Sequence, residues 1–222
     1  MASIPALPAL PSLPRRYHKA SIWALYVIGL CPAAWDFYLA ASGALGFNPV
    51  KEFEHLLGTW ALRFIIATLA ITPIRDLLGI NWMRYRRALG LIAFYYVLMH
   101  VAVYVSLDLR FDFGAVWADI IRRWYITIGM ACLLLLIPLA VTSNNWSIRK
   151  LSGAWNTLHK LIYPIAIGGV IHYILSVKSV TLVPSTYIAL IVLLVAYRAV
   201  RRPILDWKRG RRSGARPVRS QA

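Results

Sequence analysis

Acidic residues are scarce in this chain: 8 Asp and Glu stand among 222 residues, against 25 Lys and Arg. Charged residues of both signs make up only 15%, where an ordinary soluble domain carries about 25%. There are two cysteines, Cys31 and Cys132, both inside apolar runs. Neither a disulfide framework nor a CxxC metal pair is available. No Walker loop, GxGxxG fingerprint, HExxH or nucleophile elbow occurs. What is abundant is apolar residue, at 59%, with a mean hydropathy of +0.61. These features exclude a water-soluble globular domain and a disordered chain. The length accommodates about six membrane-spanning helices of roughly 20 residues and leaves no room for a separate soluble domain.

Six apolar segments follow one another, at 21–41, 56–74, 88–107, 124–142, 156–177 and 184–200. Lipid offers no partner for backbone N–H and C=O groups, so helices are expected. The short polar–apolar alternation of a membrane barrel is missing. The expected fold is an all-α bundle of six transmembrane helices over 20–201. Residues 1–19 form a Pro-rich tail ending in RRYHK, with spaced prolines that favour an extended chain. Residues 202–222 form a basic tail. Lys19, the first apolar run and AAS at 40–42 loosely imitate a cleavable leader. The run is too long for one and Asp36 interrupts it, so the segment reads as a span.

The basic residues set the orientation. With both termini on one side, that side collects 18 Lys and Arg and the opposite connections collect 5. Glu52, Glu54, Asp108, Asp112 and Asp119 fall on the poorer side. This asymmetry predicts cytoplasmic termini. The net charge of +17 then reports cytoplasmic loops and anionic lipid; no folded nucleic-acid reader is visible.

Three of the five histidines, His100, His159 and His172, lie in or at the start of apolar spans, where ionisable groups are costly. His100 sits about 20 Å up segment three from its inner end and His172 about 25 Å up segment five. Two neutral imidazoles at similar depth on neighbouring helices can hold a haem iron from both sides. Such an iron has no open position for oxygen or substrate, which suits electron transfer. A lone intramembrane histidine can equally be a satisfied interhelical hydrogen-bonder. His159 lies about 20 Å below His172 with no histidine at matching depth on segment three. Its simpler reading is an interfacial hydrogen-bonder or a flavin contact. His18 and His55 lie at membrane edges. Arg63 is buried in segment two and needs an anionic partner. A haem propionate, Asp36 and a quinone carbonyl are the candidates. Trp60, Trp82, Trp117, Trp124, Trp146 and Trp155 read as an interfacial belt. Gly43, Gly46, Gly90, Gly129 and Gly153 read as close-packing or turn positions.

The stretches RRALGLIAFYYVLMH (86–100), RRWYITIGM (122–130) and SGAWNTLHKLIYPIAIGGVIHYILSVK (152–178) resemble the MsrQ (YedZ) family. NPVKEFEHLLGTWALRF (48–64) and ITPIRDLLG (71–79) do so too, and the likeness covers roughly 20–200. The family lies within the ferric-reductase-like transmembrane domains. The resemblance implies a haem b protein of the bacterial inner membrane that also binds FMN. It implies electron transfer from quinol, or from a cytosolic flavin reductase, to a periplasmic molybdenum enzyme, MsrP, which repairs methionine sulfoxide. The chain would then be an electron-transfer subunit, not the catalytic one. His100, His159 and His172 match the family's three haem-associated histidines. The wider superfamily often has two histidines on each of two helices; segment three here has one. That leaves one haem with a full ligand pair, or two with His159 needing a partner from elsewhere. No local motif marks FMN residues. The alternatives are a ferric or quinone reductase with its own acceptor, a histidine-lined ion or metal transporter, and a structural anchor.

Overall fold

The computed structural model describes residues 14–177 and 182–213. The expected extended tail over 1–13 and the end of the basic tail beyond 213 lie outside these residues. A 3-10 turn at Arg15–Tyr17 leads into α1 (His18–Ala41), which therefore begins before the apolar run does. There follow α2 (Pro49–Pro73), α3 (Arg86–Val103), α4 (Phe113–Arg122) and α5 (Trp124–Val141). Two short helices, α6 (Asn145–Leu151) and α7 (Gly153–Leu158), precede α8 (Ile162–Ser176) and α9 (Leu182–Ser213). Among the described residues there is no strand. Six helical stretches are long and apolar enough to cross a membrane: His18–Ala41, Pro49–Leu78, Met83–Asp108, Trp124–Val141, Gly153–Ser176 and Leu182–Arg201. The all-α, six-span, multi-pass architecture expected from hydropathy is the one observed.

Helix ends follow local chemistry. Asn48 caps α2 by accepting from the Lys51 N–H, and Pro49 opens the helix where a missing donor costs nothing. Beyond α2 a π turn (Ile74–Leu78) ends at Gly79, whose φ of +76° is the left-handed stop that glycine adopts without strain. Asp112 caps α4 through the Ala115 N–H at 2.9 Å. Asp76, after α2, joins Arg75 at 3.0 Å and Arg201 on α9, and accepts from the Tyr197 hydroxyl at 3.3 Å. This ties the basic ends of two helices together.

Two packed clusters build the interior. One joins α1, α2 and α3 around Leu57, Ile92 and Tyr96. The other joins α2, α3, α5, α8 and α9 around Ile65, Ala166 and Ile191. Tyr96 is fully buried, and its hydroxyl reaches into α1, donating to the Gly29 carbonyl (2.9 Å) and accepting from the Ala33 N–H (3.1 Å). Gly29 C=O and Ala33 N–H are i, i+4 partners, so the hydroxyl enters the α1 hydrogen-bond ladder in the turn where Pro32, with no N–H, already leaves the Ile28 carbonyl without its helical donor. Helices α2 with α3 and α5 with α8 form the two closest pairs, and the site lies between them.

Candidate functional site

His100 comes from the last turn of α3 and His172 from α8. Their ring centroids are 6.1 Å apart with planes at 85°. Each Nδ1 meets a backbone carbonyl on the neighbouring helix: His100 that of Glu54 on α2 at 2.8 Å, His172 that of Tyr125 on α5 at 2.6 Å. A carbonyl can only accept, so Nδ1 carries the hydrogen and each Nε2 keeps its lone pair. This is the usual way a metal-binding imidazole is oriented and its tautomer fixed. Two nitrogen–metal bonds of about 2 Å, plus about 1 Å from each ring centre to its nitrogen, give a centroid spacing of about 6 Å across one ion. The observed spacing has that value.

A glycine stands behind each ring. A Cβ on Gly58 would lie 3.2 Å from His100 Nδ1, and a Cβ on Gly129 would lie 2.8 Å from His172 Nδ1. In each case the accepting carbonyl is four residues earlier, Glu54 before Gly58 and Tyr125 before Gly129. The glycine removes the side chain that would cover that carbonyl, and the imidazole lies directly on the helix backbone. The same device thus appears once in each helix pair.

Both rings line a cavity of about 320 Å³, within the range of about 300–1,000 Å³ that cofactor pockets occupy. Its deep wall is apolar, with Leu62, Ile65, Val97, Leu133, Leu136 and Ile165. Its mouth is polar, with Lys51, Glu54, His55, Tyr104, Asp108 and Arg123. Lys51 faces Asp108 at 3.9 Å, and Arg123 meets Asp119 at 3.0 Å. The Tyr104 hydroxyl donates to Asp119 at 2.9 Å, so α4 holds two rim groups with one carboxylate. An apolar slot, two imidazoles with free Nε2 lone pairs and a mixed-charge rim that includes Lys51 and Arg123 fit a haem, which His100 and His172 would hold.

The structure brings His100 and His172 together and keeps the other two expected residues apart from them. His159 sits on a 3-10 turn (His159–Leu161) between α7 and α8, stacked on Trp155 at 3.8 Å. Its Nδ1 meets the Trp155 carbonyl at 3.1 Å and its Nε2 lies 3.5 Å from Ser143 Oγ. Among the described residues no group of three or more His, Cys, Asp or Glu side chains is placed to hold a metal ion. Arg63 is adjacent to the cavity-lining Leu62, but its own side chain is engaged elsewhere. Its Nε donates to the Tyr187 hydroxyl on α9 at 2.8 Å, and its guanidinium lies over the Trp60 ring at 4.4 Å. Asp36 accepts instead from Trp60 Nε1 at 3.1 Å. Trp60 and Trp155 are half-buried and make specific contacts, Trp60 with Asp36 and Arg63 and Trp155 with His159 and the Thr142 carbonyl. Gly58, Lys51 and Arg123 were not singled out as site residues from sequence. The only signal for Gly58 was a glycine inside an apolar helix at the depth of His100.

The model of the ferric reductase like transmembrane component matches residues 57–170. The chain is 61% identical over 222 residues to the protein-methionine-sulfoxide reductase heme-binding subunit MsrQ of Rhizobium meliloti (strain 1021), covering 100% of this chain and 99% of that one. It is 60% identical over 206 residues to the protein of the same name from Agrobacterium fabrum, covering 93% and 95%. A third relative of that name, from Brucella anthropi, is 59% identical over 180 residues, covering 81% and 82%. No solved structure matches. With its site built on spans two to five and this identity running end to end, the chain belongs to the MsrQ family of ferric-reductase-like transmembrane proteins.

Proposed function

We propose that this protein is the haem b electron-transfer subunit of a bacterial inner-membrane system that delivers electrons to a periplasmic, molybdenum-dependent methionine sulfoxide reductase of the MsrP kind. The observation that carries this reading is the His100–His172 pair, 6.1 Å apart, each ring fixed through Nδ1 on a neighbouring helix. When bound, haem would supply a one-electron carrier. His100 and His172 hold and orient it. Leu62, Ile65, Leu133 and Ile165 exclude water from its faces. Lys51 and Arg123 at the mouth compensate its acidic groups, and Arg63, one residue beyond the wall, adds positive charge from behind.

The positive-inside asymmetry supports cytoplasmic termini and, with them, a cavity mouth open to the periplasmic side for the partner. The donor is quinol or a cytosolic flavin reductase, and FMN is a further cofactor by family likeness. A second haem at His159 would require its Nε2 to leave Ser143, and the ring stacks on Trp155 and not on a second imidazole, so one haem at the His100–His172 pair is the reading the geometry supports best. The runner-up is a ferric or quinone reductase with its own acceptor.

Stopped-flow spectroscopy of the purified, chemically reduced protein tests the proposal. Adding an MsrP-type subunit with methionine sulfoxide should reoxidise the haem at least tenfold faster than adding either alone. Rapid reoxidation by ferric chelate or quinone, with no response to the sulfoxide reductase, would favour the runner-up.

A further inference from the structure

Helix α4 is held on one side and bare on the other. Residues 109–112 separate it from the end of the third span at Asp108, and Arg123 alone separates it from α5. Arg110 and Phe111 take φ of +48° and +63°, left-handed values that fold the chain back on itself. Backbone bonds from the Phe111 N–H to the Val105 carbonyl and from the Asp112 N–H to the Leu109 carbonyl take up the slack. Both ends of α4 are thus tethered at the level where two spans leave the bilayer. The held side carries Asp119, which accepts from the Tyr104 hydroxyl and pairs with Arg123, two groups that line the cavity mouth. Thr127 of α5 donates to the Ile120 carbonyl and fixes the end of the helix.

The bare side carries Phe113, Trp117 and Ile121, which are 69%, 66% and 66% exposed. Spaced four residues apart, they form one stripe along the helix. The stripe runs on into Trp124, the first residue of α5 and 81% exposed, and so into the outer flank of a membrane-spanning helix. A contiguous run of large exposed apolar side chains marks an interaction surface. Continuity with the lipid contact of α5 selects the occupant. A helix with Trp and Phe on one face and charge on the other lies in the plane of the interface, its apolar face about 5–10 Å into the headgroup–acyl boundary. We propose that α4 is seated in the membrane surface in this way, with Phe113, Trp117 and Ile121 in lipid at the level of the cavity mouth, and that the seat holds Asp119 where it fixes Tyr104 and Arg123. A helix lifted from the bilayer carries Asp119 away and frees both rim groups. The stripe is apolar, so the seat needs no anionic headgroup.

Spin labels report the seat. In a Cys31→Ser, Cys132→Ala background, the single substitutions Trp117→Cys and Ile121→Cys are labelled, with Arg122→Cys, on the opposite side of α4 and exposed, as the water-facing control. In phosphatidylcholine nanodiscs, the ratio of oxygen to NiEDDA collision should be at least fivefold higher at positions 117 and 121 than at 122. Equal ratios would overturn the seat. Exclusion of both reagents would also overturn it, because the stripe would then be covered by a second copy of the chain. So would water exposure that gives way to exclusion only when a soluble sulfoxide reductase subunit is added, since the stripe would then be a docking face. Trp117→Glu places a charge in the stripe and should raise trypsin cleavage after Arg122 and Arg123 at least tenfold in intact nanodiscs. Asp119→Asn should raise it likewise and leave the label depth of Ile121→Cys unchanged. Unchanged cleavage in either variant would overturn the link between seat and rim. The labels, placed at exposed positions, decide the seat even where Trp117→Glu misfolds.

Discussion

The two helix pairs that face each other across the cavity solve the same problem with the same parts. In the α2–α3 pair, Glu54 lends its carbonyl, Gly58 clears the space and His100 fills it. In the α5–α8 pair, Tyr125, Gly129 and His172 do the same. The pairs differ in tolerance. The absent Cβ at Gly58 would sit 3.2 Å from its imidazole, a distance a small shift relieves; at Gly129 it would sit at 2.8 Å, where something must move. They differ also in bracing. The α2–α3 pair is backed by α1 through the buried Tyr96 hydroxyl, whereas α8 is backed by α9. Ligand geometry is therefore set more tightly on the α5–α8 side.

The largest effect expected from this asymmetry is at Gly129. Gly129→Val should displace His172 and remove most of the haem, measured as the haem-to-protein ratio after purification. The alanine variants sharpen the contrast. Overpacking of this kind costs about 1–3 kcal/mol, so Gly129→Ala should lose haem on mild detergent washing and Gly58→Ala should retain it. Equal behaviour of the two would break the comparison. The rim comes next. Arg123→Leu should lower the haem midpoint potential in a redox titration, because a positive charge at the mouth is lost. Arg63→Leu should shift it less, and should chiefly cost about 1–3 kcal/mol of stability through the lost Tyr187 bond and the Trp60 contact. A larger potential shift for Arg63 than for Arg123 would place a propionate on Arg63. The smallest effect is at the brace. Tyr96→Phe leaves the Gly29 carbonyl and the Ala33 N–H without the hydroxyl and should destabilise the fold by about 1–3 kcal/mol. The haem spectrum should not change.

Much of the fold was legible because hydropathy at span length is a direct physical requirement of the bilayer. Less legible were features decided by shape. Helix α4 lies in a connection and is too short to signal as a span. Segment five is one apolar run, yet it is built as α7, a 3-10 turn and α8. The pairing of His100 with His172 followed from counting residues along two helices, since 1.5 Å per residue converts position to depth. The partner of Arg63 could not be read this way. Tyr187 is 124 residues away, and nothing local distinguishes it from Asp36. Gly129 reads from sequence as a close-packing or turn position, and a Cβ there would lie 2.8 Å from His172 Nδ1. What it packs against required the rotation of α8, which sequence spacing leaves open.

The account stands on His100 and His172 as a ligand pair, and one measurement reaches that directly. Optical and electron paramagnetic resonance spectra should be recorded on the purified wild-type protein and on His100→Ala, His172→Ala and His159→Ala, with haem-to-protein ratios. The account predicts a low-spin, bis-imidazole haem in the wild type that persists in His159→Ala and is lost in each of the other two. A low-spin signal that survives in His100→Ala or His172→Ala, or that disappears in His159→Ala alone, would contradict it.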